Sequence, residues 1–508
     1  MHLCRSSVTN LLSHCPLLQL LLIAVVLAFM GARTGSAQSL SSAEEKVLET
    51  AQSLEPTVRN LSMEVWEDAE TALKEKESSE VLASRLEEAG FTVERGVADM
   101  PTAFVASYGS GSPVIGVLAE FDALGGVGNE PVPYKKPRED GTMSGHGCGH
   151  NVFGAASTSG AIALKRAMEE MDFSGTVRLY GSPAEETLVG KTYMAREGLF
   201  DDLDAAIEWH PGTDTETDNN AGRAMNNFRI EFFGESAHGA SDPWNGRSAL
   251  DAVELLSHGV NMMREHIKPS HRIHYMIENG GEAPNVVPNN AKVWYFARDY
   301  NREQVNHYYS WIKDIAKGAA QATRTDYEVN LISGVHATLL NRPLQEAMYA
   351  NMKQIGPPEF TEEEQEYART LQENTGKEQD GYSTEVEELA DEPEDPSGGS
   401  TDVAEVSRIA PTVGFSVATA PQNIPWHSWA VTSAHGRETA VKGGVVATKI
   451  IALMGYDMFT DEELLEKAQE EFEEKKDGPY ESPLPPDQEP PVPAEVREVM
   501  SATSSGGG

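Results

Sequence analysis

The stretch Ser144-Gly-His-Gly-Cys-Gly-His-Asn151 sets a thiol, Cys148, two positions from an imidazole, His150, with glycines around both. Glycine frees the backbone to turn, so the two side chains are able to converge on one point. Thiolate and imidazole are ligands of zinc and other borderline transition metals rather than of calcium or magnesium. The same residues also fit a Gly-rich turn around a buried thiol. Two later stretches add further ligand types. The apolar run 176–180 leads into Gly181-Ser-Pro-Ala-Glu185-Glu186, and the run 205–209 leads into His210-Pro-Gly. Adjacent carboxylates after a buried strand are costly unless something pairs with them. Taken singly, Glu185 and Glu186 also read as the acidic first turn of a helix, and His210 as a loop histidine.

The elements that must position these residues follow from the apolar spacing. Helical periodicity over 42–73 and 78–89 precedes short apolar strands at 103–108 and 114–121. A Gly/Ala-rich helix starts at about Val152, and strands 176–180 and 205–209 follow. This alternation predicts an α/β domain with a largely parallel sheet, whose reactive groups sit at the carboxyl ends of the strands. A different unit occupies 226–340. Its strands at 228–233, 274–277, 293–299 and 327–331 and its helices at 248–266 and 303–320 follow the β-α-β-β-α-β order of a ferredoxin-like domain. The chain then returns to the first domain over 341–477, with helices at 357–373, 441–454 and 462–475. Residues 377–400 are Glu/Asp/Gly/Pro-rich and read as a solvated excursion, with Asp402 just beyond as a residue able to orient a ligand. Residues 478–508 read as a Pro/Ser-rich tail.

Residues 1–37 have the pattern of a cleaved export signal: Arg5, an apolar run over 16–31, and small residues at 35–37. The first catalytic segment therefore spans 38–225, and an exported, periplasmic or secreted location is expected. Of three cysteines, Cys4 and Cys15 lie in this leader, so Cys148 alone remains and no internal disulfide is available. The chain carries 80 acidic against 40 basic residues, a formal net charge of −40. Such a surface repels nucleic acid and anionic lipid, and excludes both as partners.

Together the motifs resemble the M20 metallopeptidases, in the amidohydrolase branch that includes aminoacylases, hippurate hydrolases and auxin-conjugate hydrolases. The likeness is carried by Ala119-Glu-Phe-Asp-Ala-Leu124, Gly147-Cys-Gly-His-Asn151, Ser182-Pro-Ala-Glu-Glu186, Glu208-Trp-His-Pro211, Ser236-Ala-His-Gly239, Ala283-Pro-Asn-Val-Val-Pro288, Gly399-Ser-Thr-Asp-Val403 and Pro425-Trp-His-Ser-Trp429, in family order. The resemblance implies two divalent ions per subunit, zinc or manganese, held by Cys148, His150, Glu186, His210 and His427. It implies Glu185 as general base, Asp122 as support behind the ligands, and a supporting or structural role for His146. It further implies a homodimer built by the inserted domain, in which His238 stabilises the oxyanion across the interface and Asn285 reaches substrate. The expected reaction is hydrolysis of an amide in a small molecule, an N-acyl amino acid of the aminobenzoyl-glutamate kind. The alternatives are a dipeptidase of the same family and a non-catalytic binding protein on this fold.

Overall fold

A computed structural model describes residues 40–391 and 399–497. The leader 1–37, residues 392–398 of the acidic stretch and the last part of the tail lie outside the described residues. No helix among the described residues is long and apolar enough to cross a membrane.

The periodic stretch 42–73 forms two helices, α1 (Ser42–Gln52) and α2 (Glu55–Asp68), where one was expected. Pro56 sits in the first turn of α2, where its missing N–H costs nothing; inside a continuous helix it would break the ladder. Then come α3 (Lys76–Glu88), β1 (Thr92–Arg95), β2 (Phe104–Ser110), β3 (Val114–Glu120), α4 (His150–Met171), β4 (Gly175–Ser182), α5 (Gly190–Arg196) and β5 (Ala205–Ile207). After β6 (His210–Gly212) and β7 (Glu216–Thr217), the inserted unit runs β8 (Ala224–Phe233), α6 (Ala249–Met263), β9 (Arg272–Asn279), β10 (Asn290–Asp299), α7 (Arg302–Thr323) and β11 (Asp326–Val335). The return consists of α8 (Arg342–Ile355), α9 (Glu362–Thr375), α10 (Val403–Ser407), β12 (Thr412–Val413), β13 (Phe415–Ala418), α11 (Trp429–His435), α12 (Glu438–Thr460) and α13 (Glu462–Lys475).

The main sheet has the order β1-β2-β4-β3-β5-β12. Strands β4, β3, β5 and β12 are parallel, whereas β1 and β2 form an antiparallel edge. The mixed, largely parallel α/β sheet expected from the sequence is thus the observed one. Helices α4 and α12 pack closely because small residues line the contact: Gly444 stands against Val152, and Gly160 against Ile451. The second sheet, β11-β8-β10-β9, is antiparallel throughout and backed by α6 and α7 around Phe228, Ile230, Val293 and Ile312, a ferredoxin-like arrangement.

The stretches read from the sequence as a solvated excursion and as a tail both contribute packed residues. Tyr382, in the acidic excursion, is buried, with its hydroxyl on Thr439 at 2.8 Å. In the tail, Leu484 and Val492 join the core around Tyr193 and Ile332, while Gln488 Nε2 donates to the Tyr193 hydroxyl at 2.7 Å. Isolated apolar residues between prolines show no periodicity, yet an extended segment is able to dock them one at a time.

Candidate metal centre

The candidate residues converge at the carboxyl ends of β3, β4 and β5. Gly149, between Cys148 and His150, has φ +80°, and a Cβ there would lie 2.6 Å from His435 Nε2, so only glycine fits. That left-handed residue caps α4, which begins at His150 rather than near Val152. His150 is therefore locked into the first turn of a buried helix. The turn after β4 is also unusual, with Ala184 at φ +58° and Leu188 at +57°, and His427 sits at +55° before α11. Non-glycine residues in this region mark places where the surroundings impose the conformation. His210 opens β6; its neighbour Trp209 is fully buried and packs its ring on Phe153 and Phe415.

Cys148 Sγ lies 3.5 Å from His210 Nε2, and His427 Nε2 lies 3.5 Å from Glu186 Oε2. Donor atoms of Cys148, His150 and His210 lie within 4.8 Å of one another, as do those of Cys148, Glu186 and His427. The two groups share the thiol. Asp122 joins the shells: Oδ1 is 2.9 Å from His150 Nδ1, and Oδ2 accepts the backbone N–H of Glu186 at 3.0 Å. His150 therefore presents Nε2 to the centre, and that atom and Glu186 Oε1 are buried without hydrogen bonds among the described residues. Thiolate, imidazole and carboxylate donors with unsatisfied buried atoms fit divalent transition-metal ions. Glu185 is buried beside the same centre, its Oε2 4.0 Å from His150 Nε2.

Crowding shapes the electrostatics. Burial, then Glu120, Asp402 and Glu186, holds Glu185 well above the usual carboxylate range, and burial raises Glu186 to about 7. Burial and then the neighbouring His150 depress His210 to about 4, and lower His427 as well. Burial opposes ionisation of Asp122, but the bond and charge of His150, the Glu186 N–H and the Lys191 ammonium together outweigh this and keep it below the ordinary value. An excess of buried acids beside the depressed imidazoles of His210 and His427 is a setting that a divalent cation relieves.

The centre floors a cavity of about 930 Å³ whose wall includes Trp294, Phe296, Arg298, Ser400 and Trp426. Arg298, on β10, extends Nε to Ser400 Oγ at 3.1 Å; burial and then Arg223 lower its pKa. His146 is buried apart from the centre, with Nε2 2.9 Å from the Val65 carbonyl. His238 and Asn285 are exposed and lie side by side, Gly239 N–H donating to the Asn285 carbonyl at 2.8 Å, and neither lines the cavity of its own chain. Two further residues of the site, Arg298 and Glu75, have no motif around them to single them out. Arg298 is one cation on a strand face shared with Trp294 and Phe296. Glu75, fully buried, accepts the backbone N–H groups of Leu73 at 2.8 Å and Ala184 at 3.0 Å and the Thr102 hydroxyl at 3.1 Å, thereby tying down the turn before Glu185.

Comparison with known proteins decides the family. The signature of Peptidase family M20/M25/M40 spans residues 116–429, from β3 to the start of α11, and takes in every candidate ligand. This chain belongs to that family. It is 37% identical to one of the subunits of p-aminobenzoyl-glutamate hydrolase from Escherichia coli over 453 residues, 84% of this chain and 94% of the relative. It is 27% identical to human Xaa-Arg dipeptidase over 441 residues, 82% and 88% of the two chains. The solved aminobenzoyl-glutamate utilization protein of Klebsiella pneumoniae matches with a TM-score of 0.54 at 17% identity, over 80% of this chain and 97% of that one, a likeness of fold. The M20 protein described here is accordingly an enzyme acting on amide bonds, and a non-catalytic binding role is set aside.

Proposed function

We propose that this M20 enzyme is a dinuclear metal-dependent amidohydrolase that releases an amino acid from its N-acyl form, with aminobenzoyl-glutamate-like amides as substrates. The observation that carries the reading is the convergence of Cys148, His150, Glu186, His210 and His427 beneath a cavity in which Glu185 is a neighbouring carboxylate outside both cysteine-sharing groups. Zinc or manganese would be held by those five residues. Bound there, the ions supply Lewis acidity to the amide carbonyl and to the attacking water. Glu185 accepts the proton that the water gives up as its oxygen bonds to the carbonyl carbon. The same carboxyl then delivers that proton to the nitrogen as the C–N bond breaks, giving a carboxylate and an amine with one water consumed. Asp122 keeps His150 oriented through Nδ1. The guanidinium of Arg298, half-buried on the cavity wall, is placed to pair with a substrate carboxylate.

The 37% identical relative, named for p-aminobenzoyl-glutamate, favours an acylated amino acid over a dipeptide; the human Xaa-Arg dipeptidase is more distant, at 27%. A homodimer completes the proposal. β9 is an edge strand whose Tyr275, Met276 and Ile277 are exposed, as are Leu255 and Met262 of α6, an apolar surface suited to a second copy. His238 and Asn285, exposed and outside the lining of their own cavity, would serve the partner's. Residues 1–37 support export as the location. The test is a panel of p-aminobenzoyl-glutamate, other N-acyl amino acids and dipeptides, assayed by amine release with added manganese or zinc. Metal-dependent hydrolysis of the acyl amino acids is expected; turnover of dipeptides alone would overturn the substrate class.

A further inference from the structure

One buried ionic cluster adjoins the metal centre without belonging to the ligand set above. Lys191 on α5 and Asp402 before α10 are fully buried, and Glu120, the last residue of β3, is 1% exposed. Lys191 Nζ lies 2.7 Å from Glu120 Oε1 and 2.6 Å from Asp402 Oδ1, and the Lys191 backbone N–H donates to Asp402 Oδ2 at 2.8 Å. Burying such charges is expensive, and apolar residues of similar volume would often serve stability as well or better, so the triad calls for a role beyond holding the fold.

The triad leaves one oxygen over. Among the described residues Glu120 Oε2 is buried with no hydrogen bond, and 3.2 Å away His150 Nε2 is in the same state. Asp122 occupies the other His150 nitrogen, so Nε2 is the atom that faces an ion. With metal–ligand bonds of about 2.1 Å, two donors 3.2 Å apart subtend roughly 100° at a shared ion, an ordinary angle between neighbouring ligands. Glu185 Oε2 lies 4.0 Å from the same nitrogen, and donor atoms of Glu120, His150 and Glu185 all lie within 4.8 Å of one another.

We propose that Glu120 is an additional ligand of the ion that His150 holds, and that Lys191 and Asp402 are the positioning pair that holds it there. Lys191 engages one oxygen of Glu120 and turns the other toward the ion. Asp402 fixes Lys191 from the opposite side, and because Gly399, Ser400 and Thr401 line the cavity, the triad ties the ion's coordination to the substrate-facing wall. The inference rests on the metal-centre reading. Its rival is a Glu120 that only accepts a hydrogen bond from His150 and contributes nothing to an ion.

The test reconstitutes the full chain with Co²⁺ alone and reads three quantities: ions per chain, affinity by competition with a chelator, and the visible d–d and thiolate charge-transfer bands. Glu120→Gln keeps the volume and an acceptor for Lys191, so it preserves packing. It should weaken one ion by 10²-fold or more and change the d–d bands, leaving the second ion and the thiolate band in place. Lys191→Met and Asp402→Asn should each weaken the same ion by about 10- to 100-fold, the usual effect of a residue that orients a ligand. Should Lys191→Met fail to fold, the other two variants decide. Wild-type affinity and an unchanged cobalt spectrum in Glu120→Gln would overturn the proposal while leaving the metal centre intact. Failure of the wild type to take up cobalt would overturn both.

Discussion

Replacing Glu75 tests how the reactive turn is held. Its carboxyl accepts two backbone N–H groups and one hydroxyl, and one of those N–H groups belongs to Ala184, whose φ of +58° precedes Glu185. Glu75→Ala removes all three acceptors from a fully buried site. Each stranded N–H costs about 1–3 kcal/mol, and the emptied volume adds to this, for a total of about 3–6 kcal/mol. Glu75→Gln is predicted to cost under about 1 kcal/mol at or below about pH 4.5, where the wild-type carboxyl is protonated, because the amide oxygen is able to face both N–H groups and its NH₂ the Thr102 hydroxyl. Burial, and then Asp122, pushes the Glu75 carboxyl up to about 8 from an ordinary 4.5, so glutamine resembles its protonated form. The sign follows: the folded state holds a proton that the unfolded chain releases, so the wild type loses stability as pH rises from 4.5 toward 8. The glutamine variant lacks that loss and should gain on the wild type by about 1.4 kcal/mol per pH unit in this window. Denaturant unfolding at pH 6 and pH 8, with metal content measured on the same samples, reads both effects. An alanine variant as stable as wild type, or a glutamine variant as damaged as alanine, would refute the anchoring role.

Cys148→Ser should lower bound metal and turnover together, because a hydroxyl is a poor anionic ligand at neutral pH; metal content and rate both unchanged would remove the thiol from the centre. Arg298→Gln should reduce kcat/KM for substrates with a free carboxylate by about 10- to 100-fold, the value of one charge-assisted bond, and leave their carboxamide analogues little affected. Mixing Glu185→Gln and His238→Ala chains and allowing verified subunit exchange should restore activity in heterodimers, where one site has both groups intact; no recovery would place His238 outside the partner's site.

Much of the centre was legible because its residues lie in short strings with distinctive chemistry. Gly-Cys-Gly-His confines two donors within three positions, and the Glu185-Glu186 pair follows an apolar strand. What escaped was set by distant contacts. Lys191 stands between Gly190 and Thr192 with nothing local to reveal that Glu120 and Asp402 close on its ammonium. Glu75 follows a turn and precedes an amphipathic helix, where an acid ordinarily faces water, yet three donors from separate segments converge on it. The start of α4 lies two residues before the expected one because glycine is a weak signal of helix, and only the left-handed geometry of Gly149 shows it acting as a cap. Glu120 ends an apolar strand two residues before Asp122, a signal that is present in the sequence but gives no way to tell a ligand from a turn residue.

The division of labour between the adjacent carboxylates is the central chemical claim, and metal counting combined with turnover of p-aminobenzoyl-glutamate tests it most directly. Glu185→Gln should keep both ions and lose about 10²- to 10⁴-fold in kcat, the usual contribution of a general base, whereas Glu186→Gln should lose an ion. Metal lost from the first variant and retained by the second, or full turnover in Glu185→Gln, would contradict the account.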